Sequence, residues 1–302
     1  MGRTQDMLTQ EQEQQVYDLY DEYCHGGMDR REFLRRAAAL GAAGAGLAFA
    51  QALLPRYAQA RTIAFTDARI TPRYVDYDSP DGVSGRLRGY LVVPAGDGPW
   101  PGVLVVHENR GLNPYVEDVA RRAAVAGFAA LAPDGLSSVG GYPGNDDEGR
   151  TLQRSLDQVK LKQDMLNSAR FLKRHEACNG RLGVTGFCWG GGISNHLAVV
   201  MGDDLHAAVP FYGRAADPED VPQITAPLMI QAAENDPRVN ALWPPFQAAL
   251  DEHGKTYTHH LYSGTRHGFH NNSTPRFNER MADLAWQRTI AFFRTHLGAG
   301  RA

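Results

Sequence analysis

The sequence predicts an α/β fold, with a mostly parallel central sheet flanked by helices. Three observations carry this. Strand-like apolar runs alternate with helical ones along the body of the chain, residues 61–302 match the size of one α/β domain, and one strand-like run ends in a glycine-flanked turn from which a helix resumes.

Taken in order, residues 1–28 are polar and acidic, with an amphipathic run around Val16, Tyr17, Leu19, Tyr20 and Tyr23. The character changes at Asp29-Arg30-Arg31-Glu32-Phe33-Leu34-Arg35-Arg36, which precedes an Ala/Gly-rich stretch from Ala37 to Leu54 and then Ala58-Gln59-Ala60. Paired arginines, a weakly apolar core and a small-residue cleavage site together resemble a twin-arginine export signal. Residues 1–60 are therefore expected to be a polar segment plus leader, read by the twin-arginine export machinery and delivering the body to the periplasm or the medium. The rivals are a single uncleaved membrane anchor and a surface helix, and eighteen residues rich in alanine and glycine stand at the lower limit of a span.

Removing 60 of the 302 residues leaves 242, with 25 Lys/Arg against 26 Asp/Glu. That balance marks neither a nucleic-acid surface nor a membrane surface. Arg73 to Asp78 and Leu87 to Val93 read as a hairpin pair. Val103 to His107, Phe128 to Ala132, Arg181 to Phe187, Ala207 to Tyr212, Pro227 to Ala233 and Thr256 to Tyr262 read as further strands. Helices are expected at Pro114 to Ala126, Thr151 to His175, Ile193 to Met201, Leu242 to Glu252 and Arg276 to Leu297.

The turn after the Arg181 strand, Gly186-Phe187-Cys188-Trp189-Gly190, sets one sulfur at its apex. Glycines two residues either side suit a strained elbow whose neighbours would otherwise clash through Cβ atoms. With 32 glycines in 302 residues, a given cysteine is flanked this way by chance only about once in ninety. The bland rival is an inert cysteine packed as a small hydrophobe. Gly186 and Gly191 have phosphate-loop spacing, but Gly192 stands where that loop needs lysine, so no nucleotide cofactor is expected.

Open sheets of this kind hold ligands at the carboxyl ends of their strands. Three strand-end loops carry chemistry: His107-Glu108-Asn109-Arg110-Gly111, Glu234-Asn235-Asp236-Pro237, and Arg266-His267-Gly268-Phe269-His270. Nucleophile, acid and histidine in that chain order place Cys188, Asp236 and His267 together. Asp217 or Asp220 could replace Asp236, and His259, His260 or His270 could replace His267. The His267-x-x-His270 spacing invites a metal, but no third ligand follows at suitable spacing, and none is expected.

The motifs H-E-N-R-G, L-A-P-D, G-F-C-W-G-G, A-E-N-D-P and R-H-G-F, in this order, resemble the dienelactone hydrolase family of thiol α/β-hydrolases over residues 73–297. The resemblance implies hydrolysis of a lactone or carboxylic ester by Cys188, His267 and Asp236 through an acyl-enzyme. It also implies an oxyanion hole from the backbone N–H groups of Trp189 and Asn109, and a Glu108 that contacts the thiol. Where the best-known family type carries carboxylate-binding arginines, this chain has Ser137-Ser138 and Asn271, leaving Arg110, Arg266 or Arg276 as substitutes. A non-catalytic exported binding protein on the same fold is the alternative of another class, and a thiol redox protein lacks a nearby resolving cysteine. With Cys24 in the leader, Cys178 and Cys188 are expected at opposite ends of one strand, too far apart for a disulfide.

Overall fold

The computed structural model describes residues 8–24, 27–41, 44–54, 57–60 and 62–298. The N-terminal part forms α1 (Gln10–Cys24), α2 (Arg30–Ala38), α3 (Ala45–Ala52) and the single turn α4 (Tyr57–Ala60). The body follows with β1 (Ile70–Ser79), β2 (Gly85–Pro94), β3 (Trp100–Val106), α5 (Pro114–Val125), β4 (Ala129–Pro133), α6 (Asp146–Ser155), α7 (Gln158–Arg174) and β5 (Cys178–Phe187). It closes with α8 (Trp189–Val200), β6 (Ala207–Phe211), β7 (Leu228–Asn235), α9 (Pro237–Asn240), α10 (Trp243–Glu252), β8 (Tyr257–Arg266) and α11 (Glu279–Leu297).

Eight strands lie in the order β1-β2-β4-β3-β5-β6-β7-β8. β2 pairs antiparallel with both neighbours, and every pair from β4 to β8 is parallel. This is the α/β-hydrolase fold. Strand residues alternate between its two cores as the pleat requires: Val103 and Val105 face α5 and α11, while Leu104 and Val106 face α7, α8 and α10. All four are wholly buried, and each contributes about 1.5–3 kcal/mol by leaving water. The chain moves from β3 outward to β4 and then back past β3 to β5, so the switch point falls between the ends of β3 and β5, where Val106 pairs with Gly186.

One expected helix is two. The run read as Thr151 to His175 breaks at Leu156, whose backbone is extended, because the Asp157 carboxylate caps a new helix by accepting from the N–H groups of Val159 and Lys160. β8 also runs on to Arg266, which puts the last strand directly beneath His267.

The stretch read as a leader is folded wherever it is described. Asp29 caps α2 by accepting from Glu32 N–H at 2.8 Å, and Glu32 in turn pairs with Arg35 and Arg36. Phe33 and Ala37 are buried with Val16, Tyr20 and Tyr23 of α1 and with Ala50 and Leu53 of the α3 region, in a small core of their own. α2 and α3 cross so tightly that a Cβ on Gly46 would stand 2.0 Å from the Ala37 carbonyl oxygen. Among the described residues no helix is long and apolar enough to cross a membrane. Ala42 and Ala43 of the apolar stretch and the side chains of Ala58 and Gln59 lie outside the described residues.

At the elbow, a Cβ on Gly190 would meet the carbonyl oxygens of Val106 and His107 at 2.4 and 2.5 Å, and backbone atoms cannot yield as a flexible side chain can. Gly190→Ala should therefore cost about 3 kcal/mol, read as a lowered midpoint in denaturant unfolding. An unchanged midpoint would contradict this packing.

Candidate active site

The elbow follows from local sterics. β5 ends at Phe187, α8 begins at Trp189, and Cys188 between them has φ 56° and ψ −112°, a strained conformation for a residue with a Cβ. Glycine at 186 is needed because a Cβ there would sit 2.2 Å from the Gly190 carbonyl oxygen. The Cys188 N–H donates to the Phe211 carbonyl at 3.1 Å, tying the elbow to β6. Trp189 is the first residue of α8, so its N–H lies outside the helix hydrogen-bond ladder and beside the sulfur.

The residues selected from sequence converge here. His267 Nδ1 lies 2.6 Å from Asp236 Oδ2, and the same imidazole interacts electrostatically with Cys188. Asp236 also caps α9, accepting from Val239 N–H at 3.4 Å through Oδ1. The turn-forming and imidazole-orienting roles are therefore both filled, one by each carboxylate oxygen. Burial depresses the His267 imidazolium but is outweighed by the Cys188 and Asp236 charges and the hydrogen bonds to both, which push its pKa up to about 10. Burial likewise works to raise the Asp236 carboxyl, and His267 overrides it to hold that group below its ordinary value.

The rival candidates lie elsewhere. Asp217 pairs with Arg214 on the surface at 3.3 Å. His259 stacks on Trp243 with centroids 4.0 Å apart, and His260 lies near Tyr262. His270 is wholly buried, its Nδ1 2.7 Å from the Tyr115 hydroxyl, and among the described residues no cluster suited to a metal occurs. Cys178 begins β5 and Cys188 follows its end, and all three cysteines are free thiols.

Glu108 is buried at the end of β3 and accepts from Asn271 Nδ2 at 3.0 Å, with Arg110 Nε at 3.7 Å. Arg110 is itself held by Asp146 at 2.8 Å. Thus Asn271, one of the two positions lacking the family type's arginine, supports the buried carboxylate. Ser137, at the other, closes a loop by donating to the Asp134 carbonyl. The Asn109 side chain donates to the Cys24 carbonyl at 2.8 Å. His107 stacks on Trp189, accepts from Gly135 N–H at Nε2 and turns Nδ1 to the Glu108 carbonyl. That pattern fixes the neutral tautomer with its proton on Nδ1.

Sequence reasoning missed Tyr212. It is buried just beyond β6 at φ 36°, with its ring centroid 5.0 Å from that of His267. The signal available was its place at a strand's carboxyl end, among the positions where this sheet gathers chemistry.

A strained strand-to-helix turn at the switch point of such a sheet, facing a histidine and its carboxylate, defines an α/β-hydrolase. The Dienelactone hydrolase family pattern matches residues 87–297. The chain belongs to that family, and it is a lactone or ester hydrolase of dienelactone hydrolase type. A second pattern, YqhI-like, matches residues 5–42. A putative hydrolase fragment, YghX, of Escherichia coli is 62% identical over 112 residues, 37% of this chain and 95% of the relative. A probable 2-oxo-3-(5-oxofuran-2-ylidene)propanoate lactonase of Bradyrhizobium is 31% identical, covering 72% of this chain and 92% of the relative. The crystal structure of a putative dienelactone hydrolase from Klebsiella pneumoniae aligns with TM-score 0.64 at 25% identity, over 74% of this chain and 98% of that one. A thermostable esterase from Pseudomonas putida shares the fold over 98% of this chain and 99% of its own, with TM-score 0.63 at 15% identity.

Because the folded imidazole holds its proton to about pH 10, against 6.5 for the ordinary group, that proton stabilises the fold fully below about pH 6.5 and progressively less toward pH 10. Followed by NMR, the His267 ring should stay protonated from pH 7 and titrate near 10. Titration near the ordinary imidazole value would rule out the charged pair.

Proposed function

We propose that this hydrolase cleaves its ester or lactone by acyl transfer to Cys188. The observation that carries the reading is His267 bridging the Cys188 thiol and the Asp236 carboxylate. A thiol becomes a nucleophile on losing its proton to a neighbouring imidazole, and an oriented carboxylate steadies the imidazolium that results. Sγ attacks the carbonyl carbon, and the N–H groups of Trp189 and Asn109 receive the developing oxyanion. As the tetrahedral adduct collapses, the carbon–oxygen bond breaks and His267 returns the proton to the leaving oxygen. Water, deprotonated by His267, then attacks the thioester and releases the acid and the thiol. Glu108, held by Asn271 and Arg110, supplies negative charge beside the site and influences thiol ionisation when substrate binds.

The exported, non-catalytic binding protein lacks comparable support, because a silent scaffold has no need of the buried histidine–carboxylate pair. Export itself is a separate proposal. It rests on Arg30-Arg31 and Arg35-Arg36 ahead of a weakly apolar stretch and on Ala58-Gln59-Ala60, and it places the protein in the periplasm or the medium. Fractionating cells that express the chain with Arg30 and Arg31 changed to lysine tests it: export predicts retention of the variant in the cytoplasm.

For the chemistry, Cys188→Ala should lower p-nitrophenyl ester hydrolysis at least about 10³-fold while the fold stays intact, as read by circular dichroism. Cys178→Ala should keep most turnover, and iodoacetamide should inactivate the wild type. Equal losses from the two variants would refute the assignment of the nucleophile.

A further inference from the structure

His107 is the first residue beyond β3 and takes no part in the proton transfers assigned above. It is wholly buried, and desolvation lowers its pKa, so the ring is neutral. A neutral imidazole has one donor and one acceptor nitrogen, and here both are used. Nε2 accepts from Gly135 N–H at 3.0 Å, which leaves the proton on Nδ1, and Nδ1 donates to the Glu108 carbonyl oxygen at 2.5 Å. Only glycine fits at 135, just past the end of β4, because a Cβ there would stand 2.8 Å from Nε2.

The Glu108 carbonyl and the Asn109 N–H belong to one peptide unit. That unit is planar and trans, so its oxygen and hydrogen point in opposite directions, and a hydrogen bond that pins the oxygen pins the N–H as well. A donor on the oxygen also polarises the amide and strengthens its N–H as a donor in turn. The same ring lies against the Trp189 indole, with centroids 5.3 Å apart and planes inclined by 15°. The His107 carbonyl abuts Gly190, where a Cβ would come within 2.5 Å of the oxygen. One side chain, held from the ends of β3 and β4, thus reaches both the peptide that carries the Asn109 N–H and the first residue of α8.

We propose that His107 is a positioning residue for acyl transfer: through the Glu108 carbonyl and the Trp189 ring it aligns the two N–H groups that receive the oxyanion. This rests on the acyl-transfer reading above and adds a role for a histidine that exchanges no proton. As Sγ bonds to the carbonyl carbon, the π pair of the carbonyl moves onto oxygen while His267 keeps the thiol's proton. The new charge falls where the aligned N–H groups point. Alkylation of Sγ by iodoacetamide, in contrast, displaces iodide from a saturated carbon and creates no oxyanion. The two reactions share the thiolate and differ in their need of the hole.

That difference supplies the test, made on the full-length chain. His107→Phe keeps a ring against Trp189 and removes both hydrogen bonds. It should lower kcat for p-nitrophenyl acetate about 10- to 100-fold with KM little changed, short of the roughly 10²–10³ that deletion of a donor costs. Binding of trifluoroacetone, whose adduct with the thiolate carries an oxyanion, should weaken by the same factor. The rate of carbamidomethylation of Cys188, followed by peptide mass spectrometry, should match the wild type. His107→Asn, whose amide nitrogen can take the place of Nδ1, should recover most of kcat. If His107→Phe does not fold, Gly135→Ala displaces the ring from outside and carries the same expectation. Full kcat in the variant would overturn the proposal, and so would carbamidomethylation that falls in step with turnover, the mark of a disturbed elbow. Undiminished turnover by Cys188→Ala would instead remove the acyl-transfer reading, and the proposal with it.

Discussion

The tight approach of β5, Cys188 and α8 to the neighbouring backbone is the constraint on which everything else depends. Glycines at 186 and 190 let the strand and helix close to distances no Cβ would permit. The strain concentrated in Cys188 is held by packing on both sides, by the Phe211 carbonyl and by the end of β3. A strained residue persists only where its surroundings over-determine it, and here they are the most buried strands of the sheet. The result is a sulfur presented at the switch point, where β3 delivers Glu108 and Asn109 from one side and β8 delivers His267 from the other.

Electrostatics then decides what that sulfur can do. His267 is buried deeply enough that an isolated imidazolium would be unfavourable, yet the charges on Cys188 and Asp236 hold the proton on it. Nearby His107 and His270 meet the opposite fate: burial dominates both and keeps them neutral. Three buried histidines within one site thus differ through their partners rather than their depth. Arg110 and Arg276 bring positive charge to the same region, the first beside Glu108 and Asp146, the second beside Asp21.

The N-terminal helices show how one sequence pattern can satisfy two readings. Paired arginines before an alanine-rich stretch have the appearance of an export signal. The same residues give a capped helix, with Asp29 and Glu32 at its start and Phe33 turned into a core shared with Tyr20 and Tyr23. That small core joins α1 to α2 and α3, while Asn109, Arg150, Arg266 and Arg276 of the body meet α1, which carries Tyr17 and Asp21 to the arginines beside the histidine.

By itself the sequence determined the alternation of strands and helices, the glycine-flanked elbow and the order of Cys188, Asp236 and His267, because periodicity and turn chemistry act over a few residues. It misjudged the helix read from Thr151 to His175, since an Asp157 cap competes with an apolar period that continues through it. Tertiary structure alone decided that Asn271 supports Glu108, that Tyr212 adjoins His267, and that α1 meets Asn109 and Arg276. Each of these joins groups far apart in the chain, and which side chains meet there is set by how the sheet twists and the helices dock, which no local pattern records.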